Sequence, residues 1–504
     1  MRVPLGKWTP DLAPMLVQQG LMVATNVVPV SGGYGPIGAL TNIDSQVLSA
    51  APRGIVTGVL DDGQNFFFAA TETTIERFQE VGGTASWNDV SRTSPAYTII
   101  GQRRWNLVQF GQNIIATSYV NETQGFDLAR DTEFSDVGAA CPRAAHATVS
   151  ENFLVLGDLV DAVLGVNHNA IGWSAIGNPY GWPVPGTDTA TAVLSGQQVF
   201  EGDGGWVQGL VSGSEVLAVF QERSIWRGDF VGGDVVWQFN RVEANHGLLI
   251  KDATVSFGRS VFYISEDGFR IFDYTGSQNI GKDVVNDFFF NDYDNSFPDS
   301  VTVRRDPDQT RIFVSYPGAG NTDGRPNKIL IWDYELDSWS VIEAEHWELS
   351  DAGTITASLD APATAGDPDE LEDPPQDEES FDDRPSVSGS VQIGAFDSTF
   401  RLSQFNGVGL AGTLETGDIE VNPGQRSTVT AVRPIVDGEE TTVQVAPLDR
   451  RFDTVSFSEA ATMAPDGNCY LRSDGRYHRF RCNLDPYFTE AVAFDITARA
   501  SGTR

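Results

Sequence analysis

Lysine and cysteine are scarce in this 504-residue chain, and so is positive charge of any kind. Four lysines (Lys7, Lys251, Lys282 and Lys328) stand among 33 basic residues, the rest being arginine, and 69 acidic residues outweigh them to a formal charge of −36. A surface of that sign repels phosphate, which excludes sequence-specific wrapping of nucleic acid as a whole-surface activity. The three cysteines, Cys141, Cys469 and Cys482, are odd in number and lack ligand-like spacing. They point away from a disulfide framework and a zinc site and fit folding in a reducing compartment. No apolar run approaches the roughly 18 residues that span a bilayer, so no membrane insertion is expected. From Met1 to Gly20 an apolar stretch is interrupted by Asp11 and by prolines and glycines, which does not read as a secretory leader. Helical periodicity is also rare, and the best short helix candidate lies near Lys282 to Phe289.

What is present is β-texture. Hydrophobic residues make up 40% of the chain and aromatics 11%, ample for a packed core, while 51 glycines and 25 prolines punctuate short alternating runs. The runs recur as a unit: a β-run, a tight turn, an apolar strand, then a strand with an isoleucine beside a large aromatic. Turns fall at Asp61-Asp62-Gly63, Gly111-Gln112, Ser150-Glu151, Ser212-Gly213, Gly258-Arg259 and Asp306-Pro307-Asp308. The later strands carry Ile75 with Phe78, Ile171 with Trp173, Ile225 with Trp226, Ile271 with Phe272, and Ile331 with Trp332. A spacing of about 40–60 residues is that of a four-stranded propeller blade. The fold expected is all-β, a β-propeller of about six blades over residues 51–410, with Gly389 to Phe405 as a further blade-like stretch that closes the ring. Residues 1–50 read as an N-terminal arm with the first strands, and 411–504 as a separate β-rich platform module ending in a hairpin.

Charge is uneven along the chain. From Asp360 to Pro385 eleven acids face one base, Arg384, in a proline-rich stretch with almost no aromatics. Asp369, Glu370, Glu372, Asp373, Asp377, Glu378 and Glu379 form its densest part. Such composition cannot bury enough surface to order itself, and a flexible acidic loop is expected: a solvated insertion, or a docking segment for a basic partner. At the other extreme, residues 470–504 hold six arginines against four acids, a basic island. With Asp474-Gly475 as a two-residue turn, Cys469, Leu471, His478, Phe480 and Cys482 share one face of a hairpin. Tyr470, Arg472, Tyr477, Arg479 and Arg481 then share the other, with Arg476 beside the turn. That arginine–tyrosine face suits contact with the acidic surface of an identical subunit, stacking on passing phosphates, or charge pairing within the module.

Motifs for chemistry are weak. Gly33-Tyr-Gly35-Pro-Ile-Gly38 matches a dinucleotide fingerprint only formally, since Pro36 interrupts it and no helix signal follows. Asp292-Tyr-Asp294-Asn-Ser296 lacks the glycine and closing glutamate of a calcium loop. The five histidines are scattered, with no metalloprotease or serine-elbow motif, so no catalytic residue, cofactor or metal site is assigned.

Two segments resemble a known family. Trp8-Thr-Pro10-Asp11-Leu12, Ala24-Thr-Asn26-Val-Val-Pro29 and Gly33-Tyr34-Gly35-Pro36 are similar to the N-terminus of tail nozzle or tail hub proteins of short-tailed bacteriophages, also termed packaged-DNA-stabilisation or tail tubular proteins. Arg472-Ser-Asp474-Gly475-Arg476-Tyr477-His478-Arg479-Phe480, with Thr489-Glu490-Ala491 and Asp495, resembles their last strands, and stretches between fit their blades. The resemblance implies a non-enzymatic virion protein of the tail, assembled in the host cytoplasm as a homo-hexameric ring. Its implied partners are a head-to-tail adaptor, tail fibres or spikes, and double-stranded DNA in transient, non-specific passage. The acidic insertion lies outside the family pattern. The rival readings are a fibre-attachment or adaptor protein elsewhere on the virion and a carbohydrate-active propeller enzyme.

Overall fold

The computed structural model describes residues 1–17, 19–61, 63–81, 84–101, 103–233, 235–350, 393–438, 440–450 and 453–502. Six antiparallel four-strand meanders follow one another at 54–89, 106–136, 143–199, 207–243, 254–279 and 302–343, here sheets one to six. Sheet seven combines Leu349–Ser350, Gly394–Phe396 and Arg401–Gln404 with a strand from the other end of the chain, Thr41–Val47. Seven such sheets thus stand where six repeat units and one closing stretch are legible in the sequence. The tight turns match the repeat: Ser150 pairs with Phe153, and the two residues between them, Glu151 and Asn152, are left-handed at φ 49° and 61°. Two left-handed residues define a type I′ turn, whose twist matches that of the flanking strands.

No four-stranded sheet can bury both faces alone, and apolar clusters fill the gaps between consecutive sheets. Phe68 and Phe126 join sheet one to two, Ile115 and Leu154 join two to three, and Val155 and Val219 join three to four. Phe220 and Tyr263 join four to five, Phe262 and Val314 join five to six, and Phe313 and Leu349 join six to seven. Phe67, Phe78, Phe396 and Leu402 then join sheet seven back to sheet one. The three adjacent isoleucine–aromatic pairs follow from this arrangement, because neighbours on a strand point to opposite faces, whereas Ile171 and Trp173, two apart, share the face toward sheet four. Ile225 packs toward sheet five and Trp226 toward sheet three, while Ile331 packs toward sheet seven and Trp332 toward sheet five. The first strands of consecutive sheets also contact one another in series, from Gly54–Val59 to Leu349–Ser350, which makes them the innermost strands.

The remaining strands build a two-layer platform. One layer holds Arg2–Pro4, Val27–Val30, Gly33–Pro36, Arg426–Val436, Cys469–Gly475 and Ala491–Gly502. The other runs on from sheet six through Leu21–Thr25 to Gly412–Thr416, Tyr477–Leu484, Thr442–Leu448 and Ala461–Thr462, forming one nine-stranded sheet. Residues 1–50 are therefore divided: 2–36 are woven into the platform and 41–47 close the ring of sheets. Among the described residues helix is confined to short pieces such as Asn286–Asp292, four residues past the expected start.

Two measurements test this packing. Phe396 is fully buried against Phe67 and Trp87 at the junction of sheets seven and one. Phe396→Ala should cost about 3–5 kcal/mol, read as a lower urea midpoint. His346 is fully buried; Nδ1 donates to the Ala344 carbonyl (2.8 Å) and Nε2 accepts from the Ser315 hydroxyl (2.6 Å). Burial pushes its pKa from 6.5 down to about 4, so the folded chain refuses a proton that the unfolded chain takes near 6.5. This contribution is complete above the unfolded value and is lost as pH falls toward the folded one, at up to about 1.4 kcal/mol per pH unit. His346→Gln should remove that part of the slope in denaturation series between these pH values.

Candidate functional site

The platform rearranges the terminal arginine–tyrosine face. Cys469–Gly475 pairs with Arg426–Val436 in one layer, whereas Tyr477–Leu484 pairs with Gly412–Thr416 and Thr442–Leu448 in the other. The expected terminal hairpin is thus replaced by a crossing between layers at residues 475–477. The alternation itself is as read: Cys469, His478, Phe480 and Cys482 are buried between the layers, and all three cysteines are free thiols. The outward side chains, however, divide between two opposite faces, with Tyr470 and Arg472 on one and Tyr477, Arg479 and Arg481 on the other. In these layers Cys469–Gly475 lies along the 11-residue strand Arg426–Val436, and Tyr477–Leu484 has a partner on each edge.

The two sets differ in electrostatics. Arg479 donates through Nε to Asp418 Oδ1 (2.9 Å) and through Nη1 to Glu415 Oε1 (3.3 Å). Arg481 donates through Nε (3.0 Å) and Nη2 (2.8 Å) to Glu415 Oε2, and its guanidinium lies 3.9 Å from the Phe457 ring centroid. Glu415 and Asp418 are buried, so these arginines neutralise acids of their own chain. Tyr477 beside them is half-buried. Arg472 and Arg476 are exposed and have no carboxylate at salt-bridge distance among the described residues. Tyr470, 63% exposed, donates its hydroxyl to Asp466. The densest acidic residues, Asp369, Glu370, Glu372, Asp373, Asp377, Glu378 and Glu379, lie outside the described residues.

Other sequence motifs resolve into structure. Gly33–Pro36 is a strand hairpinned with Val27–Val30; a side chain at Gly33 would strike the Ala491 carbonyl oxygen, which explains glycine there without a nucleotide. Asp292 pairs with Lys328 at 3.0 Å and accepts from the Tyr316 hydroxyl at 2.9 Å. Among the described residues no cluster of three or more His, Cys, Asp or Glu is placed to hold a metal ion.

A second constellation forms where the innermost strands begin. In an antiparallel sheet the start of the first strand lies beside the end of the second, so Arg104, before Asn106–Phe110, stands near Tyr119, after Asn113–Ser118. Arg53, Arg104, His146, Trp206, Lys251, Asp252, Asp299 and Glu348 occupy or precede the first strands of their sheets, so all seven sheets contribute. Glu348 is fully buried; its Oε1 accepts from Arg104 Nη2 and lies 3.7 Å from Arg304 Nη2, while its Oε2 has no partner. Burial first, then the Arg104 charge, lowers the pKa of Arg53, against the pull of Glu72, Glu348 and Asp299.

Beside this cluster runs a column of stacked groups. The Arg103 guanidinium lies 4.7 Å from the Tyr119 centroid, Tyr119 stacks on His168 at 5.8 Å, and His168 stacks on Trp206 at 3.8 Å. Lys251 closes the column 5.9 Å from the Trp206 ring. His168 is held by Asp158 (Nδ1 to Oδ1, 2.6 Å) and His146 by Asp252 (Nδ1 to Oδ1, 2.7 Å). Carboxylates only accept, so each Nδ1 carries the proton. Sequence reasoning missed this site because its residues are 50 or so apart; the legible signal was a charged or aromatic residue just before each apolar first strand.

No family model matches the chain, and no curated protein matches it. Among solved structures it is similar to the computationally designed Ika8 protein, at 11% identity and TM-score 0.34 over 68% of this chain and 94% of that one. It is also similar to virginiamycin B lyase from Staphylococcus aureus, at 12% identity and TM-score 0.32 over 60% and 87%. At such scores neither likeness bears on function.

The arginine pairing is testable. Glu415→Ala leaves Arg481 without a carboxylate and should destabilise the chain by about 1–3 kcal/mol in urea titrations. Arg472→Ala, at an exposed position without such a partner, should stay within about 0.5 kcal/mol of the parent.

Proposed function

We propose that the chain is a seven-bladed β-propeller with a β-sandwich platform, and that it serves as a subunit of the tail nozzle or hub ring of a short-tailed bacteriophage. The observation that carries this reading is that the two segments resembling that family, at opposite ends of the sequence, fold into one unit. Arg2 grips Asp495 through two hydrogen bonds of 2.8 Å, Leu5 N donates to the Val492 carbonyl, and Tyr34 pairs with Ala491. Trp8 and Tyr34 are buried in the core that also holds Phe480 and Phe494. A resemblance divided between two remote segments is then a resemblance of one body, the platform.

In this reading the role is mechanical. Copies of the chain associate into a six-membered ring in the virion tail, below an adaptor, with fibres or spikes attached outside. The net charge of −36 disfavours bound phosphate, so DNA leaving through the ring is not held by the salt-dependent contacts of ordinary DNA binders. Arg472 and Tyr470, exposed on one platform layer, and Arg476, exposed at the crossing between the layers, are residues available to meet the acid-rich surface of a neighbour. Light scattering on the purified chain should give about six times the 54.7 kDa of one copy. Reversing both exposed charges (Arg472→Glu with Arg476→Glu) should break that assembly without lowering the urea midpoint. A parent chain that stays monomeric at every concentration would overturn the ring.

A further inference from the structure

The proposed ring assigns no role to the stacked column where the innermost strands begin, and the chemistry of that place points to a ligand. We infer that this axial mouth is a binding site for an acidic sugar, a pyranose bearing one carboxylate or phosphate group. The inference stands apart from the tail reading, since it concerns the ring of sheets within one chain and not the platform.

Four observations converge. First, the site is concave: Ile99, Arg103, Tyr119, His146, Lys251 and Asp299 line a cavity of about 30 Å³ that opens to solvent. That is room for about two waters, so only the oxygens of an anionic group enter it and a sugar ring stays outside. Second, the cations at the two ends of the column are unneutralised. Neither Arg103 nor Lys251 has a carboxylate at salt-bridge distance among the described residues, although acids outnumber bases two to one in this chain. Unpaired cations flanking one small cavity are the complement of an anion.

Third, Trp206, which the cavity-lining Lys251 approaches to 5.9 Å, is 43% exposed, an unusual place for an indole, while one of its faces is held against His168. An immobilised, half-open indole offers an apolar edge to a sugar ring that cannot enter the cavity. Fourth, His146 is buried, and its Nε2 has no hydrogen-bond partner while Nδ1 donates to Asp252. A buried polar atom without a partner, on a residue of the cavity wall, gains a hydrogen bond if a ligand opens that wall. A purely structural staple across sheets two to five would need the three rings, yet would gain nothing from unpaired cations at both ends or from the open indole.

The test uses the full chain in four titrations followed by calorimetry: glucuronate, glucose 6-phosphate, glucose and inorganic phosphate. At least one of the two acidic sugars should bind saturably, and which one binds tells a carboxylate source from a phosphate source. Glucose should not bind, and inorganic phosphate should bind at least about tenfold more weakly than the preferred sugar. Arg103→Ala, Lys251→Ala and Trp206→Ala should each weaken binding by about tenfold or more. Unchanged urea midpoints would show that each variant is folded, and Arg103→Lys should restore part of the affinity. No saturable binding by either acidic sugar overturns the inference. So does affinity unchanged in the Arg103 and Lys251 variants, or inorganic phosphate binding as well as the sugars, which would leave an adventitious anion only.

Discussion

Seven sheets of four short strands have too little surface to bury themselves, so each must give both faces to its neighbours. This mutual burial is the constraint on which the rest of the structure depends. It makes Leu154, Val155 and Leu156 inaccessible on successive, opposite sides of one strand, and it demands that the last sheet meet the first. The meeting is made by Phe396 and Leu402 against Phe67 and Phe78, and by Thr41–Val47, which completes sheet seven from the other end of the chain. A ring closed by its own N-terminal strand has its innermost strands held in a fixed relation, so groups at their starting ends stay registered without a loop to carry them.

The same economy joins ring and platform. Leu21–Thr25 lies parallel to Ser338–Glu343 of sheet six on one side and antiparallel to Gly412–Thr416 on the other. Backbone hydrogen bonds therefore run without a break from a ring sheet into the platform, and one large apolar cluster spans the two. Force or torque on the platform passes to the ring through the sheet itself, a property that suits the mechanical role proposed for the protein.

Charge acquires meaning only in this frame. The arginines that looked like one adhesive face separate into Arg479 and Arg481, which neutralise buried Glu415 and Asp418, and Arg472 and Arg476, which face solvent. Arginine suits the first task because its planar fork can engage two carboxylates at once, as Arg479 does. Arg103 and Lys251 show a third use, as end caps of an aromatic column within an acidic molecule.

What the sequence determined by itself is what short-range chemistry encodes: strands, their turns, their inward and outward alternation, and the repeat. The isoleucine–aromatic pairs were legible because a period of two on a strand needs no partner to be read. The turn read at Ser150-Glu151 lies one residue further on, at Glu151-Asn152, and Gly33–Pro36, whose glycines and proline read as a turn, is a strand because Val27–Val30 pairs with it. Tertiary structure alone decided which strand pairs with which. Residues 469–475 and 477–484 look like a hairpin, yet the first pairs with Arg426–Val436 and the second with Thr442–Leu448 and Gly412–Thr416. It also decided that residues 1–50 would be shared between platform and ring, and that Arg103, Tyr119, His168, Trp206 and Lys251 would stand in one column. Pairing and proximity between residues remote in sequence are set by competition among all strands for the same edges and the same core, which no local pattern records.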